Sequence, residues 1–202
     1  SAADDDPMYT AEQVVAFKNV LRPLRGSGIQ FKYIHAANSA GMLTVKDDLF
    51  NMVRCGIALY GLHPSQKVRL PEAFKPVMTW KTVVAQVKTL PAGHMVGYGN
   101  SYRTQREETV AILPIGYGDG FRRSPNWGEV LIHGKRAPIL GRVSMEKTIV
   151  SLAHLPHVTI GDEVVLLGKQ GDDALTAEEI ASKLDTINYE VVCGVLARVP
   201  RR

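Results

Sequence analysis

The sequence predicts an α/β segment over residues 1–74 followed by a β-rich domain over residues 75–202. Three observations lead there. Up to residue 60, helical and strand-like apolar periods alternate, which is the pattern of βα units. Pro64, Pro71 and Pro76 then mark a junction. Beyond them come short apolar and β-branched runs separated by glycine-bearing turns, with one or two late helices. At 45% hydrophobic residues in a chain of 202, there is apolar material enough for a core.

Thr10-Ala11-Glu12-Gln13 reads as a capping box that opens the first helix: the Thr hydroxyl accepts an early backbone N–H while Gln13 reaches back. Val14, Val15, Phe17, Val20 and Leu21 supply its apolar face, and Pro23 with Gly26-Ser27-Gly28 ends it. Residues 31–34 read as a short buried strand, 50–53 as a helical turn and 57–60 as a second strand. In the second part, strands are expected over 78–90, 109–114, 130–133, 149–152 and 164–167. A second capping box, Thr176-Ala177-Glu178-Glu179, starts a late helix.

Composition excludes several function classes. A net charge of +4 is modest and spread along the chain, and no aromatic-basic stripe or RNA-binding signature accompanies it, so nucleic acid is not an expected partner. No apolar run approaches the roughly 20 residues of a membrane span, and no secretory leader opens the chain, so no membrane partner is expected. Cys55 and Cys193 form no CxxC pair, and no metal site is expected. Two isolated cysteines fit a reducing compartment, and the cytoplasm is the expected location.

Five motifs carry the chemistry. His35-Ala36-Ala37-Asn38-Ser39-Ala40-Gly41 pairs an imidazole with a serine hydroxyl and small residues. Arg54-Cys55-Gly56-Ile57 places a guanidinium beside a turn whose backbone N–H groups could meet a phosphate. Val96-Gly97-Tyr98-Gly99, Gly116-Tyr117-Gly118-Asp119-Gly120 and Gly141-Arg142-Val143-Ser144-Met145-Glu146 follow. In this order the series resembles the bacterial alanine racemases along the whole chain.

That resemblance implies the C-terminal part of a TIM-type barrel, then a β-rich domain, and pyridoxal 5′-phosphate (PLP) as cofactor. The lysine that carries PLP in the family lies near the N-terminus in a motif of small residues, and no lysine here, from Lys18 to Lys183, has such a setting. The chain opens on residues resembling the loop after a mid-barrel strand. A fragment of the racemase, inactive alone, is therefore expected. Ser39 with the N–H groups of Gly56 and Ile57 corresponds to the phosphate site, the usual position at the C-terminal end of barrel strands. Tyr189 resembles a further phosphate-contacting phenol, or else packs a helix start. Arg54 resembles the arginine facing the pyridine nitrogen. A guanidinium stays protonated, which leaves that nitrogen unprotonated and favours return of the proton over transamination. His35 resembles the residue that orients this arginine, although a histidine taken on its own is more often a satisfied buried residue.

Tyr98 corresponds to the catalytic base on the L face. An unperturbed phenol titrates near about pH 10, so the role calls for a nearby cation; an edge-packing strand tyrosine is the plainer alternative. Met145 corresponds to a residue whose backbone N–H meets the substrate carboxylate, against the plainer reading of a core methionine. Tyr117 resembles a channel-lining tyrosine that favours small amino acids, and Asp119 satisfies glycine-rich backbone. The family often carries Cys-Met-Asp where this chain has Ser144-Met145-Glu146, and an aromatic where Ala197 stands. The resemblance also implies a homodimer with composite sites, in which Tyr98, Tyr117 and Met145 serve the partner's cofactor. A small amino acid is the implied substrate. Serine or broad-specificity racemisation and a non-catalytic dimerisation module are the alternatives, and the arginine at position 54 argues against a decarboxylase.

Overall fold

The computed structural model describes residues 2–3 and 7–202, so most of the expected opening loop lies outside the described residues. The chain divides into two compact units, one ending at Val77 and one beginning at Met78.

The first unit opens with α1 (Pro7–Gly26). The helix begins three residues before the expected capping box, because Pro7 at its first position lacks an N–H that would be orphaned anyway and has φ preset for helix. Thr10 therefore lies inside it. Leu21 is buried and Val14 and Phe17 half-buried, a spacing of three and four, whereas Val15 and Val20 face outward. Phe17 meets Phe50 with ring centroids 5.7 Å apart. A short helix, α2 (Ser39–Thr44), follows, capped by Asn38, whose side chain accepts the Gly41 N–H.

Neither strand expected here forms. Extended segments do run side by side, with the Asn51 N–H on the Ile34 carbonyl (3.1 Å) and the Arg54 N–H on the Ala37 carbonyl (2.9 Å). Ahead of these rungs a side chain takes over: Asn51 Oδ1 accepts from the Ile34 N–H at 2.8 Å and its Nδ2 donates to the Lys32 carbonyl at 3.0 Å. A regular ladder is thus replaced by an amide bracket. The extended partner is 51–54, overlapping the 50–53 expected as a helical turn, while Ile57–Tyr60, expected as a strand, is a 3-10 turn starting after Gly56.

The second unit is antiparallel throughout. Its elements are β1 (Trp80–Val83), β2 (Gln86–Leu90), β3 (Met95–Val96), β4 (Tyr102–Arg103), β5 (Glu108–Leu113), β6 (Glu129–Ile132), β7 (Lys135–Pro138), β8 (Thr148–Ser151), β9 (Glu163–Gln170), β10 (Asp173–Leu175), α3 (Ala177–Lys183) and α4 (Asn188–Cys193). One sheet has the order β1-β9-β6-β7 with β10 on the far end of β9; a second is β2-β5-β8; β3 and β4 pair alone. The run expected as one strand over 78–90 serves two sheets: β1 pairs β9, β2 pairs β5, and the chain crosses at Val84 and Ala85. Val164, Val165, Leu166 and Leu167 are all buried, which is why this segment reads as an unbroken apolar run.

The core centres on Trp80, Phe121 and Trp127, whose rings meet at centroid distances of 4.9–5.9 Å, two of the three contacts edge-on. Thr176 Oγ accepts the Glu179 N–H at 3.1 Å and caps α3 as its motif predicts. Arg136 on β7 joins Glu129 of β6, Asp173 of β10 and Glu179 of α3, so one guanidinium ties four elements.

Candidate active site

In the first unit, α2 begins at Ser39, and the Asn38 cap directs the chain so that Ser39 is 4% exposed. Its Oγ accepts the Gly56 N–H at 2.9 Å and the Ala58 N–H at 3.2 Å. With both acceptor positions engaged, the hydroxyl proton is left to donate. Ile57 opens the 3-10 turn, where an N–H has no acceptor within the helix. Space is open beside Gly56, with nothing within 4 Å of where a Cβ would stand. Donors around an open position fit a phosphate or carboxylate. The structure thus brings Ser39, Gly56 and Ile57 together, with the added detail that Ser39 itself takes the Gly56 N–H.

Arg54 and His35 meet in the same unit, Nη1 to Nδ1 at 2.9 Å. The Arg54 backbone is fixed by its bond to Ala37, and the residue lines a cleft of about 350 Å³ together with Phe17, Ala36, Asn38 and Gly41. A planar cation held by an imidazole at the rim of a cleft is a ready hydrogen-bond donor to a ring nitrogen or anion.

The second unit carries a separate group. Tyr98 stands on a turn after β3 and is 65% exposed; Tyr117, on a 3-10 turn over Tyr117–Asp119, is 37% exposed. Arg123 lies between them, its guanidinium carbon 5.8 Å from the Tyr98 ring centroid and 5.9 Å from that of Tyr117. Met145 is 56% exposed, so it is no core methionine. Its segment is stitched to the Tyr117 turn: the Tyr117 N–H donates to the Ser144 carbonyl at 3.0 Å and the Gly118 N–H to the Met145 carbonyl at 2.8 Å. This approach requires glycine at 116, where a Cβ would lie 2.1 Å from the Ser144 oxygen. Asp119 Oδ2 accepts the Gly116 N–H at 2.9 Å, so the carboxylate serves glycine-rich backbone.

Tyr189 lies near the start of α4, half-buried, where burial pushes its phenol above the ordinary range. It is in the second unit, on a different element from Tyr98, Tyr117 and Met145. Two arginines were not foreseen. Arg123 follows the glycine-rich turn directly and could have been noticed as a basic pair with Arg122. Arg198, which bonds Asp119 at 2.7 Å and Glu146 at 3.0 Å, comes from a segment 79 residues beyond Asp119, and no local pattern signals it. Among the described residues, no group of three or more His, Cys, Asp or Glu could hold a metal ion, and no helix is long and apolar enough to cross a membrane.

An anion-ready corner and a fixed arginine in the first unit, and an antiparallel β-rich second unit displaying two tyrosines, define a two-unit protein with candidate ligand-facing groups in each unit. The comparisons narrow the class. Residues 77–202 match the family model described as alanine racemase, C-terminal domain, and residues 1–64 that of the N-terminal domain. The alanine racemase of Halothermothrix orenii is 46% identical over 202 residues, covering 100% of this chain and 53% of the relative. That of Symbiobacterium thermophilum is 45% identical, covering 99% and 54%. The crystal structure of alanine racemase from Bacillus anthracis with bound L-Ala-P superposes with a TM-score of 0.92 at 40% identity, covering 99% of this chain and 52% of that one. The chain belongs to the alanine racemase family. Its architecture is the C-terminal part of the family barrel followed by the β-rich domain, and it spans about half the length of the curated relatives it matches.

Proposed function

We propose that this chain is the C-terminal portion of a cytoplasmic, PLP-dependent alanine racemase that interconverts L- and D-alanine for cell-wall synthesis and is inactive without the remainder of the enzyme. The observation that carries this reading is the Arg54–His35 pair in the same unit as the Ser39 corner. The residues fit the cofactor. Ser39 supplies a hydroxyl donor and Ile57 a backbone N–H for its phosphate, Gly56, whose own N–H is held by Ser39, leaves the open space beside them, and Tyr189 is the further phenol assigned to it. Arg54 supplies a permanent hydrogen-bond donor for the pyridine nitrogen. PLP, when bound, acidifies the α-proton of an amino acid joined to it.

The remaining steps belong to this chain's own groups. His35 holds the Arg54 fork in one orientation, so the arginine donates without giving up a proton. Tyr98, exposed and flanked by the Arg123 guanidinium, removes and returns the α-proton on the L face. Met145 offers its backbone N–H to the substrate carboxylate, and Tyr117 narrows the approach so that a small side chain is preferred. Full-length subunits pair head to tail, with Tyr98, Tyr117 and Met145 serving the partner's cofactor. The two free cysteines, Cys55 and Cys193, fit a reducing compartment.

The test is deuterium wash-in at Cα of L-alanine and L-serine, with PLP and the full-length gene product that carries this chain. Fast exchange on L-alanine that collapses in Tyr98→Phe is expected. Exchange faster on L-serine would assign a serine or broad-specificity racemase. No exchange with PLP bound would reduce the chain to a dimerisation module.

A further inference from the structure

Arg198 makes more of the second unit than any sequence pattern announces. Its Nε donates to Asp119 Oδ1 at 2.7 Å and its Nη1 to Glu146 Oε1 at 3.0 Å. Asp119 closes the turn that carries Tyr117, and Glu146 is the immediate neighbour of Met145. The guanidinium also lies over Gly118, where an added Cβ would come within 3.0 Å of Nη2. Its own segment is anchored to the same turn by the Leu196 N–H on the Asp119 carbonyl at 3.0 Å, and Arg201 Nη2 donates to the Val195 carbonyl at 2.8 Å. Three chain segments distant in sequence thus meet at one planar cation, and two of them carry groups assigned to substrate.

We infer that Arg198 is a positioning residue for the substrate-carboxylate site, clamping the Met145 segment to the Tyr117 turn. The inference rests on the function proposed above for Met145 and Tyr117. The physical argument concerns two backbone bonds. The Tyr117 and Gly118 N–H groups donate to the Ser144 and Met145 carbonyls, and those bonds set the direction of the Met145 peptide. Both segments are turns outside a sheet ladder, tied at their base by the Thr148 hydroxyl on the Ile115 carbonyl at 2.7 Å, and a second tie is needed at their tips to keep the two bonds in register. Arg198 does so with a rigid planar fork that meets two carboxylates at once. Glu146 takes part because its chain reaches the guanidinium. The clamp therefore gives the glutamate at this position a task in place of a free charge in the channel.

Two readouts test this on the full-length protein: kinetics with L-alanine and amide hydrogen exchange. Arg198→Met is expected to raise KM about tenfold while kcat moves less than about threefold, the signature of lost ground-state and transition-state binding alike. Glu146→Gln raises KM by a smaller factor, and Arg198→Lys restores part of the loss. Exchange at the Tyr117 and Gly118 amides accelerates at least about tenfold in Arg198→Met, while the amides of β9 stay protected. Unchanged KM and unchanged exchange at those amides overturn the clamp and leave the racemase assignment standing. Accelerated exchange with kcat falling and KM constant also overturns the carboxylate role. A parent that racemises nothing defeats the proposed function and the carboxylate role together, while the exchange arm still decides whether the clamp exists.

Discussion

Removing one buried oxygen, in Ser39→Ala, should damage both stability and cofactor affinity. Ser39 Oγ is the acceptor for two backbone donors, at 2.9 Å from Gly56 N and 3.2 Å from Ala58 N. The two losses differ in kind. Gly56 is exposed, so water replaces the lost acceptor and the cost is about 0.5–1 kcal/mol. Ala58 is 3% exposed and its N–H lies in the first turn of the 3-10 segment, without a helical acceptor. An orphaned buried donor costs about 1–3 kcal/mol. Together they give about 1.5–4 kcal/mol, which urea unfolding of the PLP-free, full-length protein measures as a lower midpoint at constant slope. The hydroxyl proton is also the donor assigned to phosphate. Losing a hydrogen bond to a charged group weakens binding by about one to two powers of ten, read by spectrophotometric PLP titration. A variant within about 0.5 kcal/mol of wild type, with an unchanged PLP affinity, would refute both halves of the reasoning.

Three further outcomes are expected. Gly116→Ala should cost about 3 kcal/mol or more, because the new methyl would stand 2.1 Å from a backbone oxygen that cannot swing aside; an unshifted denaturation midpoint would rule this out. Arg54→Glu in the full-length enzyme should slow racemisation and raise transamination products, and unchanged partitioning between the two, followed by product analysis, would defeat the role assigned to Arg54. The Arg136 hub predicts a pH dependence. Arg136 holds Asp173 and Glu179 below the ordinary carboxylate range, and at Glu129 burial is outweighed by the bonds from Lys183 and Arg136. Depressed folded-state values mean stability that is present above the unfolded carboxylate range, near about pH 4, and lost as pH falls through the lowered values. Arg136→Met should flatten that acid limb of the unfolding free energy, and an unaltered slope would count against the hub.

The β domain was readable from sequence because its strands carry their own signal. Residues 164–167 are four consecutive buried aliphatics, and the observed β5, β6 and β8 fall within a residue of the runs at 109–114, 130–133 and 149–152. The failures lie where a side chain replaces backbone. Asn51 brackets the Lys32–Ile34 segment with its amide, so the expected ladder at 31–34 never forms, and no periodicity reports that. β7 is Lys-Arg-Ala-Pro, which has almost no β-propensity and is held by pairing to β6 and by the Arg136 ion pairs. Of the residues proposed for the site, Ser39, Arg54 and Tyr98 stand in local motifs, whereas Arg198 is invisible to them because its partners are 79 and 52 residues away.

One physical device recurs at three turns, two in the first unit and one in the second. A group proposed to meet a ligand stays exposed, as Tyr98 and Met145 do, so burial cannot fix its position. At these three turns the fixing falls to a side-chain oxygen that collects backbone N–H groups. Ser39 does this for Gly56 and Ala58, Asn38 for Gly41, and Asp119 for Gly116. Each acceptor holds the turn while the adjacent side chain or open N–H faces outward. Substitution of these oxygens should therefore act on affinity and geometry before it acts on the global fold. Loss of the exposed groups themselves should leave stability nearly untouched. An enzyme in which Tyr98→Phe unfolds as readily as Ser39→Ala would contradict that division of labour.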